Sequence, residues 1–253
     1  MPRFFVQDIR VGDVSIVGED AAHIAKTLRL RVGETVMLSD GRGLDARARL
    51  LAVSPAAVTA AVESVYPNAT EPHLKAYVYA ALPKSDNASL IVQKSVELGA
   101  REIIFYTSSR TVRRPDDFAP FLTRLARIAR EAAGQSERGL LPRVRGLLSF
   151  EDAAREAAKT DLPLFFYERG GESISSLPFG KIDSCAIFTG PEGGFSPEET
   201  DAAKNAGMLV ATLGPRILRC ETAPLTALTA AMLLGGEMDA SVPAPPTKGT
   251  CPV

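Results

Sequence analysis

Two glycine-containing loops are the parts of this 253-residue chain whose residue types and spacing point to chemistry. The first reads TGPEGGFSPEE over residues 189–199, directly after an apolar run that ends at Phe188. Its three glycines let the backbone approach a ligand closely, and free amides at a helix N-terminus favour a hydrogen-bond acceptor. Ser196 is a suitable N-cap, Pro197 fits the first helical position and Glu199 completes a capping box. The pattern predicts a helix from Pro197 preceded by a ligand-binding loop, with a purely structural turn as the alternative.

The composition of this loop restricts the ligand that it can bind. It matches neither G-x-x-x-x-G-K-[ST] nor G-x-G-x-x-G, so neither common nucleotide-binding motif is present. It carries one acid, Glu192, and no base. A triphosphate would be repelled by that carboxylate, whereas a cationic or zwitterionic ligand would tolerate it.

The second loop reads GPRILRCETA over residues 214–223 and follows a predicted strand at residues 208–213. Open α/β sheets bind ligands at the C-terminal ends of their strands, so the two loops are expected to line one cleft. Ile217 and Leu218 are apolar residues within a polar loop. They either line a flat ligand such as adenine or fill the core beneath the loop.

The elements that position these loops alternate between strands and helices from residue 74 onward. The predicted strands cover residues 74–80, 102–107, 162–167, 184–189 and 208–213, and the predicted helices cover 86–98, 116–133 and 223–234, with two more beginning near 149 and 197. This alternation is typical of an α/β fold with a mostly parallel sheet that is covered on both faces.

The first 66 residues have mainly strand patterns. Runs at 34–40 and 44–53 flank a glycine-containing turn, 57–66 forms a further run, and 19–28 has a helical stripe. We predict a small barrel-like β module there. Residues 67–72 form a linker, and the proline-rich segment from residue 240 is predicted to be disordered.

Charge and composition narrow the classes of function. Residues 101–145 carry ten arginines and five acids, a local balance of +5 within a chain of net charge −1. A guanidinium group matches phosphate geometry, so this segment indicates either RNA binding or a solvated helix face. No apolar run reaches the roughly 18 residues of a membrane span. Three widely spaced cysteines, Cys185, Cys220 and Cys251, and only two histidines indicate free thiols, a cytoplasmic location and no metal site.

Taken together, GPEGGFS and LGPRILRCETA resemble the C-terminal signature of SPOUT methyltransferases. They resemble more closely the bacterial family, called RsmE, that methylates N3 of uracil 1498 in 16S ribosomal RNA. The similarity extends in order to about residue 236. Further matching segments are RFF at 3–5, the stretch 23–29, PK at 83–84, QKSVELG at 93–99 and RIAREAAGQSER at 127–138.

The resemblance implies an N-terminal PUA-like β-barrel over 1–70, a SPOUT domain with a trefoil knot over 71–238, and a disordered tail over 239–253. It also implies S-adenosylmethionine as cofactor, no metal, 16S ribosomal RNA of the small subunit as partner, and a homodimer with its active site at the subunit interface. The chain departs from the family pattern at Cys220, usually Thr, at Pro224, usually a small residue, and within 134–138.

The resemblance assigns roles to individual residues as expectations. Cofactor contacts would come from the two loops, with adenine held near Leu213, Leu218 and Cys220. The full set is Thr189, Gly190, Pro191, Glu192, Gly193, Gly194, Leu213, Gly214, Ile217, Leu218, Arg219 and Cys220. The RNA-binding candidates are Arg3, His23, Arg29, Lys84, Arg113, Arg114, Arg124, Arg127 and Arg138. A histidine such as His23 is more often a packed or helix-capping residue than an RNA ligand.

Four residues are candidates for catalysis, each with an alternative. Arg219 either orients cofactor and uracil or forms a structural salt bridge, and Glu221 is either a base or a cap of the following helix. Glu97 either helps in catalysis or forms a surface ion pair, and Gln135 either reads the base edge or bonds at the helix end. Two other functions stay open, namely a SPOUT enzyme with a different RNA target and an RNA-binding protein without catalysis.

Overall fold

The computed structural model describes residues 1–84, 86–112 and 118–239, which form two compact units. The first unit contains Met1–Glu71 and Glu137–Leu140, and the second contains Pro72–Ser136 and Leu141–Met238. Arg113, Arg114 and Cys251 lie outside the described residues, as does the predicted disordered tail beyond residue 239.

The first unit is a five-stranded curled sheet with a short helical segment. Its strands are β1 (Arg3–Phe5), β2 (Gly12–Val17), β3 (Thr35–Ser39), β4 (Leu44–Val53) and β5 (Ala57–Pro67), and its helix α1 (Glu19–Ala22) continues as a π-helical turn at His23–Thr27. The spatial order is β1-β3-β4-β5-β2, with β1 parallel to β3 and the other pairs antiparallel. Alternate residues such as Leu38, Ala48 and Leu50 form its core, as the period of two requires. The strand predictions at 34–40, 44–53 and 57–66 are confirmed.

The segment Glu137–Leu140 joins the first unit through hydrogen bonds that link residues far apart in sequence. Glu71 accepts bonds from Arg138 and from the amide of Leu140, and the carbonyl of Gly139 accepts a bond from Ser39. An ideal Cβ on Gly139 would lie 2.3 Å from the Cβ of Asn68, so only glycine fits. No local sequence pattern indicates this insertion.

The second unit is a seven-stranded sheet in which every neighbouring pair is parallel. Its strands are β6 (Lys75–Ala81), β7 (Glu102–Thr107), β8 (Arg143–Ser149), β9 (Leu162–Phe166), β10 (Glu172–Ser173), β11 (Ser184–Thr189) and β12 (Leu209–Thr212), in the order β10-β12-β9-β11-β6-β7-β8. The predicted α/β fold with a mostly parallel sheet is therefore confirmed.

Helices cover both faces of this sheet. They are α2 (Asn87–Glu97), α3 (Ala119–Gln135), α4 (Phe150–Ala157), α5 (Pro197–Asn205) and α6 (Thr222–Leu234), with 3₁₀ turns at Ile174–Ser176 and Phe179–Lys181. Tyr79 and Ala81 on β6 pack in one cluster with residues of α4 and α5. Their neighbours Val78 and Ala80, which point to the other face, are also buried. Successive strand residues point to opposite faces, so both faces are covered.

Strand β8 is an element that sequence patterning does not predict. It begins with Arg143 and includes Arg145, and it lies at the edge of the sheet, half-exposed along its length. The Arg145 guanidinium forms ion pairs with Glu102 on the neighbouring strand β7 and with Glu156 on α4. Ion pairs therefore anchor this edge strand in place of an alternating apolar face.

Candidate functional site

The loops that follow β11 and β12 line one cleft at the C-terminal ends of parallel strands, as predicted. The cleft has a volume of about 540 Å³, which is within the usual range for small-molecule sites. Each residue predicted to bind the cofactor lies on its wall, and so does Glu221. Sequence reasoning missed the contribution of Phe166, the last residue of β9, and of Tyr167 and Glu168, which follow it. The rule that ligands bind at strand C-terminal ends could have indicated this third loop.

The loop after β11 is anchored at both ends. Tyr106 donates a 2.7 Å hydrogen bond from its hydroxyl to the carbonyl of Thr189 where the strand ends. At the other end, the predicted capping box is present: Ser196 Oγ accepts from the amide of Glu199, and Glu199 Oε2 accepts from the amide of Ser196. Between them, Glu192 Oε1 accepts a 2.9 Å bond from the amide of Lys84. Hydrogen bonds within the protein therefore hold the loop at both ends and near its middle.

A turn after β7 adds two further contacts to this loop. Arg110 Nη1 donates a 2.7 Å hydrogen bond to the carbonyl of Gly193, and the amide of Ser109 donates a 2.8 Å bond to Glu199 Oε1. Glu199 is buried, and its two carboxylate oxygens therefore serve two different segments. These contacts join residues about 80 to 90 positions apart, and sequence patterning did not indicate them.

Two of the three glycines lie where a side chain would be crowded or strained. An ideal Cβ on Gly190 would lie 3.0 Å from the Phe195 ring, and one on Gly194 would lie 2.8 Å from Glu168 Oε1. Gly194 also has a φ of 65°, in the left-handed region that favours glycine. These distances support the alternative that the glycines are needed for the turn itself, in addition to a role in ligand binding.

The loop after β12 places a thiol between two carboxylates. Cys220 is buried, and its Sγ lies 3.2 Å from Glu221 Oε2, to which it donates. Burial raises the pKa of the Cys220 thiol to about 12, with further contributions from its hydrogen bond to Glu221 and from the negative charge of Glu192. The thiol is therefore neutral at physiological pH, and Glu192 and Glu221 both act on it.

The structure decides several of the alternatives for the second loop. Ile217 is 84% exposed, so the idea that it fills the core is wrong. Glu221 occupies the N-cap position of α6, but its side chain makes no capping hydrogen bond, so the capping alternative is also wrong. The Arg219 side chain is 85% exposed and its Nη1 lies 4.0 Å from Glu221 Oε1, a distance at the limit of an ion pair. Glu221, 16% exposed, has its carboxylate in the cleft.

The other two catalytic candidates lie elsewhere. Glu97 and Gln135 line a groove between α2 and α3, and neither reaches the cleft between the two loops. Both oxygens of Glu97 accept hydrogen bonds from Lys94, at 2.8 and 2.9 Å, so its ion-pair alternative is confirmed. Within one chain, Arg219 and Glu221 therefore lie at the cleft, whereas Glu97 and Gln135 lie at the groove between α2 and α3.

Two RNA-binding candidates need correction because their side chains are buried in ion pairs. Arg3 Nη1 lies 2.5 Å from Asp45 Oδ1, with side chains 6% and 4% exposed. Arg138 Nη2 lies 2.7 Å from Glu71 Oε2 and is equally buried. A buried carboxylate needs a partner charge, so both arginines stabilise the first unit and their guanidinium groups are withdrawn from solvent.

The remaining candidates that the structure describes are at the surface or partly paired. Arg124 forms an ion pair with Asp86 and lies 5.4 Å above the Phe121 ring, while Arg127 is 3.8 Å from Glu131. His23 has its ring 6.3 Å from that of Phe4, so its packing alternative has support. Arg29 and Lys84 are exposed.

The described residues contain neither a candidate metal site nor a candidate membrane-spanning helix. Among residues 1–84, 86–112 and 118–239, no group of three or more His, Cys, Asp or Glu side chains is arranged to hold a metal ion. Within the same ranges, no helix has both the length and the apolar character needed to cross a membrane.

Comparison with known proteins agrees with this geometry. Residues 70–232 match the RNA methyltransferase domain family, and residues 16–63 match the RNA methyltransferase PUA domain family. Ribosomal RNA small subunit methyltransferase E of Bacillus subtilis is 35% identical over 227 residues, which cover 85% of this chain and 88% of that protein. Its namesake in Mycobacterium tuberculosis is 32% identical, covering 91% of this chain and 90% of that protein.

A solved structure shows the same architecture. The crystal structure of ribosomal RNA small subunit methyltransferase E from Neisseria gonorrhoeae bound to S-adenosyl methionine superimposes with a TM-score of 0.84. The two proteins are 29% identical, and the match covers 92% of this chain and 98% of the other. The resemblance inferred from the two loops is confirmed, and the chain belongs to the RNA methyltransferase family that includes the ribosomal RNA small subunit methyltransferases E.

Proposed function

We propose that this protein transfers the methyl group of S-adenosylmethionine to N3 of uracil 1498 in 16S ribosomal RNA of the small subunit. One observation carries the proposal: the two signature loops line a single cleft that also contains the carboxylates of Glu192 and Glu221. Its relatives named above are small-subunit ribosomal RNA methyltransferases, and the Neisseria relative binds S-adenosyl methionine.

The chemistry of the cleft suits this cofactor. Apolar Ile217 and Leu218 and the backbone groups near Leu213 offer a place for adenine, whereas Glu192 and Glu221 favour a positive charge. When bound, S-adenosylmethionine supplies an electrophilic methyl group on a positively charged sulfur. The carboxylates of Glu192 and Glu221 also disfavour a polyphosphate in their part of the cleft.

We assign Glu221 and Arg219 the direct roles in the reaction. Methylation of N3 requires removal of a weakly acidic imide proton, and the Glu221 carboxylate is free of any capping bond and lies in the cleft. The exposed guanidinium of Arg219 at the rim can stabilise negative charge that develops on the uracil oxygens. The N3 proton would pass to the Glu221 carboxylate, and no further activation is required of the chain, since the methyl donor is a sulfonium that would leave as a neutral thioether.

Glu97 and Gln135 enter the reaction only if a second copy of the chain brings its α2–α3 groove to the cleft. We therefore propose a homodimer whose active site lies at the subunit interface. In this arrangement, Gln135 offers an amide to the base edge, and Glu97 stays paired with Lys94 and orients it.

We further propose a trefoil knot in the C-terminal part of a SPOUT domain at residues 71–238, beside a PUA-like barrel at 1–70. The strand order supports the knot. Strand β11 lies between β9 and β6, both earlier in the chain, β12 lies beyond β9, and α6 returns to pack on β6 and β11. Such threading is rare among folds, so it would be a specific property of this family. We also propose a cytoplasmic location, since the proposed substrate is the small ribosomal subunit.

The decisive experiment is transfer of labelled methyl groups to small subunits from a strain that lacks the cognate gene, followed by mapping of the modified nucleotide. Label on N3 of uracil 1498 is expected. Label at another nucleotide would favour the second candidate, a SPOUT enzyme with a different RNA target. The variants Glu221→Gln and Arg219→Ala should lose most activity, and Glu151→Gln, an exposed change on α4 outside the cleft, should not. Near-normal rates for both cleft variants would contradict the assigned roles.

A further inference from the structure

A fourth segment reaches the cleft of the second unit, and it contributes the side chain of Asn87. Asn87 lines the cleft together with residues of the two signature loops and of the segment after β9. It is the first residue of α2, which follows strand β6 after a short connection. Strand β6 is the parallel neighbour of β11, so this connection begins at the same C-terminal edge of the sheet as the loop that carries Glu192.

A hydrogen bond holds this connection beside the carboxylates of the cleft. The amide of Lys84 donates a 2.9 Å bond to Glu192 Oε1, and Asn87 follows three residues later. The charge of Glu192 in turn acts on the thiol of Cys220, which donates to Glu221. Asn87 therefore enters the cleft on the side of these carboxylates, where methyl transfer is proposed to occur.

The carboxamide of Asn87 is available to a ligand. The residue is half-buried, and among the residues that the structure describes its side chain has no hydrogen-bond partner. The neighbouring Asp86, by contrast, pairs with Arg124 and accepts a bond from Ser89. Helix α2 begins without a side-chain cap, so the carboxamide is not used to start the helix. A partly buried polar group of this kind gains most from a ligand that supplies the missing hydrogen bond.

The structure of uracil defines what a carboxamide can do at this place. N3 lies between two carbonyl groups, so loss of its proton spreads negative charge onto O2 and O4. An N–H group that donates to one of these oxygens binds more strongly as the charge develops, and it thereby lowers the barrier. The ionised carboxylates of Glu192 and Glu221 only accept hydrogen bonds and cannot serve these oxygens. Arg219 can serve one of them, which leaves the other for Asn87.

We propose that Asn87 is a catalytic residue whose carboxamide N–H donates to one of the two carbonyl oxygens that flank N3 of the target uracil. The inference rests on the proposed function, which makes uracil the substrate. The N3 proton passes to Glu221, and the negative charge left on the ring is stabilised by the donors of Asn87 and Arg219. N3 then bonds to the methyl carbon while the carbon–sulfur bond breaks, and the electron pair of that bond stays on the sulfur.

The test is steady-state methylation of small subunits that lack the modification, by the variants Asn87→Ala and Asn87→Asp. Removal of one donor of this kind typically lowers kcat by about 100-fold to 1000-fold, so Asn87→Ala should lose about a hundredfold in kcat. The KM for subunits and the dissociation constant for S-adenosylmethionine should stay close to those of the wild type. Asn87→Asp should be slower still, because its carboxylate cannot donate and repels the developing charge. If Asn87 served only to start α2, the aspartate would be tolerated, because an acid is favourable in the first turn of a helix.

The pH dependence of kcat separates a catalytic role from a structural one. Without the donor, N3 of the bound uracil loses its proton less readily. The rise of kcat with pH should therefore move to higher pH in Asn87→Ala, and the difference from the wild type should narrow as the pH rises. A variant that disturbed only the fold would be slower by the same factor at every pH. Asn205→Ala, an exposed change at the end of α5 outside the cleft, is the matched control and should behave as the wild type.

The possible outcomes distinguish this role from the proposed function. Transfer to N3 by the wild type together with near-normal kcat for both Asn87 variants would overturn the role of Asn87 and leave the proposed function intact. Weaker binding of S-adenosylmethionine by Asn87→Ala with an unchanged kcat would also overturn the role, because that result indicates a cofactor contact. Transfer by the wild type to an atom that has no neighbouring carbonyl group would refute the proposed function, and the role of Asn87 with it.

Discussion

Arg110 Nη1 lies 2.7 Å from the carbonyl oxygen of Gly193, and this hydrogen bond joins the turn after β7 to the loop after β11. The two residues also pack closely, since an ideal Cβ on Gly193 would lie 3.3 Å from the Cβ of Arg110. A larger residue at 193 would require the arginine stem to move. The turn that carries Arg110 therefore helps to set the position of a loop that lines the cleft.

The first prediction is that Arg110→Ala weakens binding of S-adenosylmethionine about fivefold. The variant removes a hydrogen bond with a net value of roughly 1 kcal/mol, and the loop then has more freedom before the cofactor binds. Arg110→Lys should recover part of the affinity, because lysine can still donate to the Gly193 carbonyl. Calorimetry measures both constants, and Arg155→Ala on α4 serves as an exposed control. Equal affinity of wild type and Arg110→Ala would show that the turn does not position the loop.

The second prediction concerns the backbone of the same loop. Gly194→Ala should weaken cofactor binding and lower the melting temperature, because a residue with a side chain at a φ of 65° is strained by about 1 kcal/mol. The nearby Glu168 oxygen is the end of a flexible side chain and can move away. Gly180→Ala is the matched control, since a Cβ there meets no atom within 4 Å and its φ is ordinary. Identical behaviour of the two variants would exclude backbone strain as the reason for glycine at 194.

Local patterns in the sequence predicted the two loops and most of the elements around them. The capping box of Ser196 and Glu199 spans only four residues. The alternation of strands and helices is read from the apolar pattern within each element. Strand β8 escaped because its arginines conceal the apolar period that marks the other strands. The turn that carries Arg110 escaped because its partners are distant in sequence, and no local pattern encodes them.

The RNA-binding predictions show the same limit. The sequence does not show which acid, if any, pairs with a given arginine. Arg3 and Arg29 were therefore equally good candidates for RNA binding. Folding brings Asp45 to Arg3 across 42 positions and buries the pair, while Arg29 stays exposed.

The third prediction is that Glu192 and Glu221 make the cleft prefer S-adenosylmethionine to its product S-adenosylhomocysteine. The cofactor has a positive sulfur and the product has a neutral one, so Glu192→Gln or Glu221→Gln should weaken binding of the first and barely change binding of the second. Each carboxylate is expected to contribute up to about 1 kcal/mol, roughly a fivefold change in the ratio of dissociation constants.

Calorimetry with both ligands measures that ratio for each variant. Sinefungin, which carries an amine in place of the methyl sulfonium, separates charge from methyl contacts and should lose affinity together with the cofactor. Glu151→Gln, an exposed change on α4 outside the cleft, should leave all three constants unchanged. Parallel losses for the cofactor and its product would mean that the carboxylates act only on the shape of the loops.

The fourth prediction concerns the thiol of Cys220. Burial, the hydrogen bond to Glu221 and the charge of Glu192 raise its pKa to about 12, so the thiolate that reacts with alkylating reagents is scarce at pH 8. Labelling of Cys220 by iodoacetamide should therefore be slow and should rise about tenfold per pH unit well beyond the pKa of an ordinary thiol, near 8.5. Peptide mass spectrometry distinguishes Cys220 from Cys185, whose pKa burial also raises to about 12.

The sign of the effect on stability follows from the same pKa. A thiol whose pKa is raised on folding stabilises the protein fully below the pKa of the unfolded chain, and this contribution is lost as the pH rises toward the folded value. The free energy of unfolding should thus fall between about pH 8.5 and pH 12, and less so in Cys220→Ser. Glu221→Gln removes one cause of the shift, so the thiol should titrate at lower pH and be alkylated faster at a given pH. Rapid labelling of the folded wild type at pH 8 would contradict this account, because it requires a thiolate that the two carboxylates should suppress.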